Sequence, residues 1–300
     1  MILEPWSHAC SAGFTLRGEH SRPSGKPVIH FLHGNGFCGR TYEPLLRLLA
    51  RDFDLFLSDM QGHGDSDHGG RFHGWNRTAE LCREAWQAHA PRFGTAAAFA
   101  LGHSFGGVIS ALMMAREPTL FRRAVLLDPV LFTPAMIGLM ALSDVVGLYS
   151  RNTLAQGARK RRRHWPGPEA AHAGLRERGM FKGWADVALW AYVNHALKPD
   201  RAGGVELKCA PTREAEIFGS FPRRLWSSLE RVATPTRVLY GQRTFPFVPR
   251  AVARWCELDR AVSAEEVPGG HCFMQEDPAR SARLIAAFLQ PPSSPQPASA

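Results

Sequence analysis

The 300-residue sequence predicts an α/β fold: a doubly wound, mostly parallel sheet carrying a helical cap insertion. Three observations carry that prediction. Near-continuous apolar runs at 28–32, 53–57, 97–101 and 124–127 have the character of strands buried on both faces, as central parallel strands are. Segments with apolar residues at helical spacing alternate with them, at 42–51, 78–89 and 107–116. The alternation stops after Asp128 and resumes at Thr236, so roughly a hundred residues leave the sheet and return to it.

The elements follow in order. Residues 14–19 (FTLRGE) alternate apolar and polar side chains and predict an edge strand. Pro23-Ser24-Gly25 is a turn, and the buried run at 28–32 ends in the loop His33-Gly34-Asn35-Gly36. Leu45, Leu46, Leu48 and Leu49 give 42–51 a helical face, and 53–57 is the next strand, closing at Ser58-Asp59. A loop rich in Gly and His leads to the helix at 78–89, which shows Leu81, Ala85 and Trp86 on one side and is stopped by Pro91. From 131 to 231 the pattern is helical without strand signals, Trp184, Val187, Ala188, Ala191 and Tyr192 being one example. Strands resume at 236–240 and 261–267, with helices at 248–256 and 277–289. The expected organisation is a sheet core from 1–131 and 232–290, a helical cap at 132–231 and a disordered Pro/Ser/Ala-rich tail at 291–300.

Composition sets bounds on function. With 45% hydrophobic and 21% charged residues, the chain can build a large core without a metal or disulfide. The six cysteines (Cys10, Cys38, Cys82, Cys209, Cys256, Cys272) are scattered without CxxC pairing and read as reduced thiols of a cytoplasmic protein. The N-terminus has no basic stretch followed by an apolar core, so no secretory signal is expected. No membrane span is expected either, because no stretch reaches the ~18 apolar residues needed. The net charge is +9, and its one dense run is Arg159-Lys160-Arg161-Arg162-Arg163-His164. That run fits a solvated helix face, or a nucleic-acid or membrane-surface patch. No stacking aromatics alternate with it, so no nucleic acid is expected as partner.

The unusual residues stand at strand ends, where open parallel sheets bind ligands. Gly102-His103-Ser104-Phe105-Gly106 is a G-x-S-x-G turn between a predicted strand and a predicted helix. There a strained backbone lifts the serine hydroxyl clear of the sheet, and Gly102 and Gly106 permit the close strand–helix approach. A serine hydroxyl needs a base within hydrogen-bond reach, and the base needs an orienting carboxylate. Ser104, Asp128 and His271 offer those roles in the order Ser…Asp…His. An oxyanion needs two N–H donors. Phe105 N–H, directly after the serine, is one, and the loop after His33-Gly34 offers the other, most simply Asn35 N–H.

Taken together these segments resemble the α/β-hydrolase superfamily, over roughly 14–289. His33-Gly34-Asn35-Gly36 is similar to its HG oxyanion loop, and 59–66 (DMQGHGDS) to its D-x-x-G-H-G-x-S loop. Residues 102–106 resemble the nucleophile elbow, and Gly269-Gly270-His271 the histidine loop. The resemblance implies a serine hydrolase without metal or cofactor, with the insertion as a cap roofing the pocket. One departure stands out. Many members carry the acid as G-x-x-D after the strand that here ends in Gly241-Gln242-Arg243-Thr244, which holds no carboxylate. The family's alternative position follows the strand after the nucleophile's helix, where Asp128 stands; Asp259 and Asp144 are poorly placed rivals.

Asp59, His63, Asp65, Asp67, His68 and His73 have metal-ligand chemistry, but the resemblance implies a structural loop. His103 is expected to be a pocket or packing residue and Cys272 a packing residue. Trp165, Phe181, Trp184, Trp190 and Tyr192 are candidates for an apolar acyl pocket or for core. The expected activity is cleavage of a small-molecule carboxylic ester or thioester with an apolar acyl part, through an acyl-enzyme. C–C bond hydrolysis or a cofactor-free lyase reaction would use the same three residues, and a non-catalytic ligand-binding protein is the remaining alternative.

Overall fold

A computed structural model of the chain describes residues 1–145 and 147–290. The tail read as disordered lies outside the described residues. Eight strands form one sheet: β1 (Glu4–Ala9), β2 (Thr15–His20), β3 (Val28–Leu32), β4 (Asp54–Asp59), β5 (Ala98–His103), β6 (Arg123–Leu127), β10 (Thr236–Arg243) and β11 (Val262–Gly270). Their spatial order is β1-β2-β4-β3-β5-β6-β10-β11. β1–β2 and β2–β4 pair antiparallel, and every later pair is parallel. All residues of β3 and β4 are buried, as the uninterrupted apolar runs require.

Helices cover both faces. α2 (Trp75–His89), α3 (Phe105–Arg116) and α10 (Val248–Leu258) pack on the face that carries Leu32, Phe56, Leu126 and Val238. α1 (Glu43–Leu49), α11 (Phe273–Glu276) and α12 (Pro278–Leu289) pack on the face with Phe31, Leu57, Leu127 and Leu239. Leu126 and Leu127 are neighbours in β6 and point into opposite cores, which is the strand's two-residue period at work.

Three sequence expectations need correction. The edge strand is β1, and β2 at 15–20 is interior to the sheet. Glu4–Ala9 escapes recognition because Pro5 sits within it and only Trp6 is buried, so it carries almost no apolar pattern. Pro5 is tolerated because an edge strand leaves one side of its ladder unpaired. The insertion, in turn, is not wholly helical. It holds α4 (Pro134–Val145), α5 (Thr153–Arg159), α6 (Pro168–Leu175), α7 (Asp186–Ala196), α8 (Pro211–Phe218) and α9 (Leu225–Leu229). Between them runs a small antiparallel sheet of β7 (His164–Trp165), β8 (Leu197–Pro199) and β9 (Val205–Leu207). Strands of two and three residues are too short to show alternation.

The basic run is also not a helix face. α5 ends at Arg159, and Arg161 turns inward to an ion pair with Glu214 at 2.8 Å, with Glu214 almost fully buried. The insertion shares its packing with the sheet, because Trp184 and Tyr192 belong to the same buried cluster as Phe31 and Leu57. Among the described residues, no helix is long and apolar enough to cross a membrane.

Candidate active site

The C-terminal ends of β3, β5, β6 and β11 deliver their loops to one spot above the sheet. Ser104 joins β5 to α3 with φ 54° and ψ −115°, a strained conformation for any residue but glycine. Its N–H is anchored on the Leu127 carbonyl at 2.9 Å. A Cβ at Gly102 would lie 2.5 Å from the Gly106 carbonyl oxygen, and one at Gly106 would collide with the Leu32 and His33 carbonyls. Both glycines are therefore required by close approach of strand, helix and loop.

Ser104, His271 and Asp128 come together as the sequence predicts. His271 Nε2 lies 2.9 Å from Ser104 Oγ, and His271 Nδ1 lies 2.8 Å from Asp128 Oδ1. Asp128 is fully buried at the end of β6, in the left-handed region (φ 43°) that aspartate tolerates. A buried carboxylate needs compensation. Gly241 N–H donates to Oδ2 at 2.8 Å and the Thr244 hydroxyl donates to Oδ1. Gly241–Thr244, the stretch without the common acid, thus holds the acid supplied by the neighbouring strand. The other two carboxylates weighed, Asp144 and Asp259, are engaged elsewhere: Asp144 by Arg223, and Asp259 by the Ala261 N–H.

The loop 33–36 faces the elbow. Among the described residues, neither Asn35 N–H nor Phe105 N–H has an intramolecular acceptor, so both are free to donate to a ligand, Phe105 from the first turn of α3. The loop is held from beneath by two neutral imidazoles. His33 Nε2 accepts the Met60 N–H at 3.0 Å, and its Nδ1–H donates to the Gly34 carbonyl. His63 Nε2 accepts the Gly36 N–H at 3.0 Å while its Nδ1–H donates to the Gln61 carbonyl. Burial pushes the His33 pKa down to about 4 and that of His63 well below its ordinary value, the latter with help from His33. Both rings therefore keep the lone pair that accepts a backbone N–H.

From above, the insertion closes on the same loop. Asn35 Nδ2 donates to the Glu214 carbonyl at 3.1 Å. Gly36, at φ +81°, lies so near the Arg161–Glu214 pair that a Cβ would stand 3.1 Å from Glu214 Cδ. Arg161 also donates to the Tyr192 hydroxyl at 2.6 Å.

His103 links the loops, a role beyond packing. Its Nε2–H donates to the His271 carbonyl at 3.0 Å, and its Nδ1 accepts from the Tyr42 hydroxyl at 2.6 Å. Tyr42 in turn accepts the Gly34 N–H at 3.0 Å. Burial, reinforced by the neighbouring His271 ring, holds the His103 pKa well below its usual value, which preserves this directionality. Sequence reasoning missed Tyr42, Glu214 and Arg161; no local motif marks them, since their partners lie far along the chain.

The D-x-x-G-H-G-x-S loop is internally satisfied. Asp59 accepts the Gly39 and Asp65 N–H groups at 2.8 and 3.0 Å, and Ser66 Oγ donates to the Asp59 carbonyl. Cys272 is buried, and burial raises its thiol pKa well above the ordinary value, so it stays protonated beside His271. A grouping with metal-ligand spacing occurs at His164, Asp200 and Glu206 on the insertion's sheet. Arg163 and Lys198 already engage Glu206, at 2.7 and 3.4 Å.

A cavity of about 500 Å³ opens above Ser104. Trp75, Phe105, Phe245 and Phe247 wall it from the sheet side, and Phe132, Met136, Met140 and Phe218 from the insertion. Ser104, His271, Asn35 and His103 lie at its floor, and among the described residues no Asp, Glu, Lys or Arg lines it. The five insertion aromatics considered for the pocket are not in its wall. Phe181, Trp184 and Tyr192 pack on one another and Trp190 stacks on His172, which makes them core.

A serine, histidine and aspartate are thus hydrogen-bonded in series at the strand ends of a doubly wound sheet. The sequence profile of the alpha/beta hydrolase family matches residues 31–284, and the chain belongs to that family. It is 31% identical over 135 residues to human "Serine hydrolase-like protein", a match that covers 44% of this chain and 60% of the relative. The chain thus spans less than two thirds of that relative's length. Rat "Monoglyceride lipase" is 37% identical over 119 residues, covering 37% of this chain and 38% of the lipase. Among solved structures, the peroxisomal alpha-beta-hydrolase Lpx1 of Saccharomyces cerevisiae superimposes with TM-score 0.75 at 18% identity, covering 98% of this chain and 92% of that one. E-2-(acetamidomethylene)succinate hydrolase gives 0.72 at 24% identity, with 95% and 99% covered. These structures share the fold.

Proposed function

We propose that the chain is a serine hydrolase that cleaves a small-molecule carboxylic ester or thioester with an apolar acyl group. The observation that carries this reading is the Ser104–His271–Asp128 series, with contacts of 2.9 and 2.8 Å, at the floor of a cavity without charged walls. Ser104 Oγ attacks the acyl carbonyl and passes its proton to His271 Nε2. Asp128 fixes the ring tautomer and stabilises the imidazolium. The Asn35 and Phe105 N–H groups receive the developing oxyanion. Collapse breaks the bond to the alcohol or thiol, which leaves with the proton from His271. Water, deprotonated by the same ring, then releases the acid and restores Ser104. Residues 132–231 act as the cap that sets acyl preference through Met136, Met140 and Phe218. The name of the rat relative, a monoglyceride lipase, is consistent with an acyl ester substrate.

Hydrolysis of p-nitrophenyl esters of graded acyl length tests the reading. Turnover is expected to rise from acetyl to a medium-chain optimum, and Ser104→Ala is expected to lower it by about 10⁴–10⁶-fold. Hydrolysis retained in purified Ser104→Ala protein refutes the acyl-enzyme.

A further inference from the structure

Nine large apolar side chains are exposed among the described residues, and four of them fall in one short segment and outside the cavity wall: Leu139, Leu142, Val145 and Leu148. Their exposure runs from 58% at Leu148 to 83% at Val145. Leu139, Leu142 and Val145 follow one another at a spacing of three along the outer face of α4. Met136 and Met140 on its inner side border the cavity above Ser104. A helix apolar on both faces is at rest in water only when the second face is covered.

The charge around this patch indicates what covers it. Asp144 is the one acid between 131 and 168, and it faces Arg223 at 3.5 Å. Against it stand Arg151, Arg159 and Lys160, all exposed, with Arg159 donating to the Ser150 carbonyl beside the patch. A second copy of the chain would bring together two such fringes and two net charges of +9. The chain's own residues 291–300 carry no large apolar side chain and follow Leu289, at the end of the sheet opposite the cavity, where Gln290 meets the Asp52 carbonyl. An apolar strip fringed by arginine and lysine fits an anionic lipid surface.

We propose that the outer face of α4 and the α4–α5 turn dock on an anionic lipid bilayer, so that an apolar acyl substrate enters the cavity from that surface. The docking stands on the exposed face and its charge; only the delivery rests on the hydrolase reading above.

The test is co-sedimentation of the full chain with vesicles of phosphatidylcholine, with and without phosphatidylglycerol. The wild-type protein is expected to sediment with the anionic vesicles and to be released by salt. Leu142→Glu/Val145→Glu, at positions outside the cavity wall, is expected to lower partitioning about tenfold or more while hydrolysis of a soluble short-chain ester stays at the wild-type rate. Arg151→Glu/Lys160→Glu is expected to abolish the preference for anionic vesicles. Wild-type protein left in the supernatant with both vesicle types overturns the proposal. So does undiminished sedimentation of the Leu142→Glu/Val145→Glu variant, or a wild-type dimer in light scattering that this variant dissociates. Failure of the hydrolase reading shows separately, as absence of soluble-ester turnover in every protein.

Discussion

The sheet's strand-end loops and the insertion build two halves of one cavity by different means. Every polar group at the cavity floor on the strand side is fixed by hydrogen bonds: Asp128 by Gly241 and Thr244, His271 by Asp128 and His103, the loop 33–36 by His33, His63 and Tyr42. The insertion side meets the cavity with methionines and aromatics among its apolar groups, and its α4 leaves Leu139, Leu142 and Val145 in water. Directional bonds hold reacting atoms to within tenths of an ångström, whereas apolar walls accept any ligand of suitable size. On the proposed function, chemistry belongs to the sheet and selectivity to the insertion. The exception is the Arg161–Glu214 pair, through which the insertion reaches the loop 33–36.

The comparison breaks most visibly at the acid. Asp128→Asn is expected to cost about 10⁴-fold in turnover, because the amide presents the wrong partner to His271 Nδ1. Its melting curve should remain cooperative. Thr244 already touches the carboxylate oxygen that His271 uses, so Thr244→Asp in that background is expected to recover about tenfold or more of the loss. Turnover unchanged in Asp128→Asn would remove the residue from the reaction.

A smaller effect probes the insertion's reach. Glu214→Gln keeps the shape but removes the charge opposite Arg161. Displacing one oxyanion donor in part is expected to lower kcat about tenfold, against the 10²–10³ for full loss of a donor, with KM nearly unchanged. A change confined to KM would assign Glu214 to substrate binding.

The smallest effect is on stability. His33 is neutral when folded, with its pKa down at about 4, so the unfolded chain takes up protons first as pH falls below about 6.5. Its contribution is present above that pH and is lost on acidification, by about 2 kcal/mol at pH 5. His63 and His103 act in the same direction. Asp59, pushed up to about 6 by burial, acts oppositely and offsets about 1 kcal/mol over the same range. Urea unfolding midpoints at pH 7 and pH 5 should therefore differ, the acid one being lower. His33→Asn should flatten the difference.

The two halves also differed in how far they could be read from sequence. Gly102–Gly106 and Gly269–His271 are contiguous, so their chemistry and their backbone demands are written in neighbouring residues. The place of Asp128 beside His271 was legible because Gly241–Thr244 lacks a carboxylate and a strand end offered one. Tyr42 was not legible, since its hydroxyl acts on Gly34 and on His103, 61 residues away. Glu214 braces Asn35 across 179 residues. The insertion's aromatics had the composition of a pocket and the packing of a core, a distinction that helical spacing does not contain.

The most direct test is to stop the reaction midway. The protein mixed with a medium-chain p-nitrophenyl ester is quenched in acid and mapped by peptide mass spectrometry. An acyl adduct is expected on the peptide carrying Ser104. That adduct should accumulate when His271 is replaced by alanine in slow residual turnover and be absent in Ser104→Ala. Steady turnover with no adduct on Ser104, or an adduct carried by Cys272 instead, would contradict Ser104 as the nucleophile.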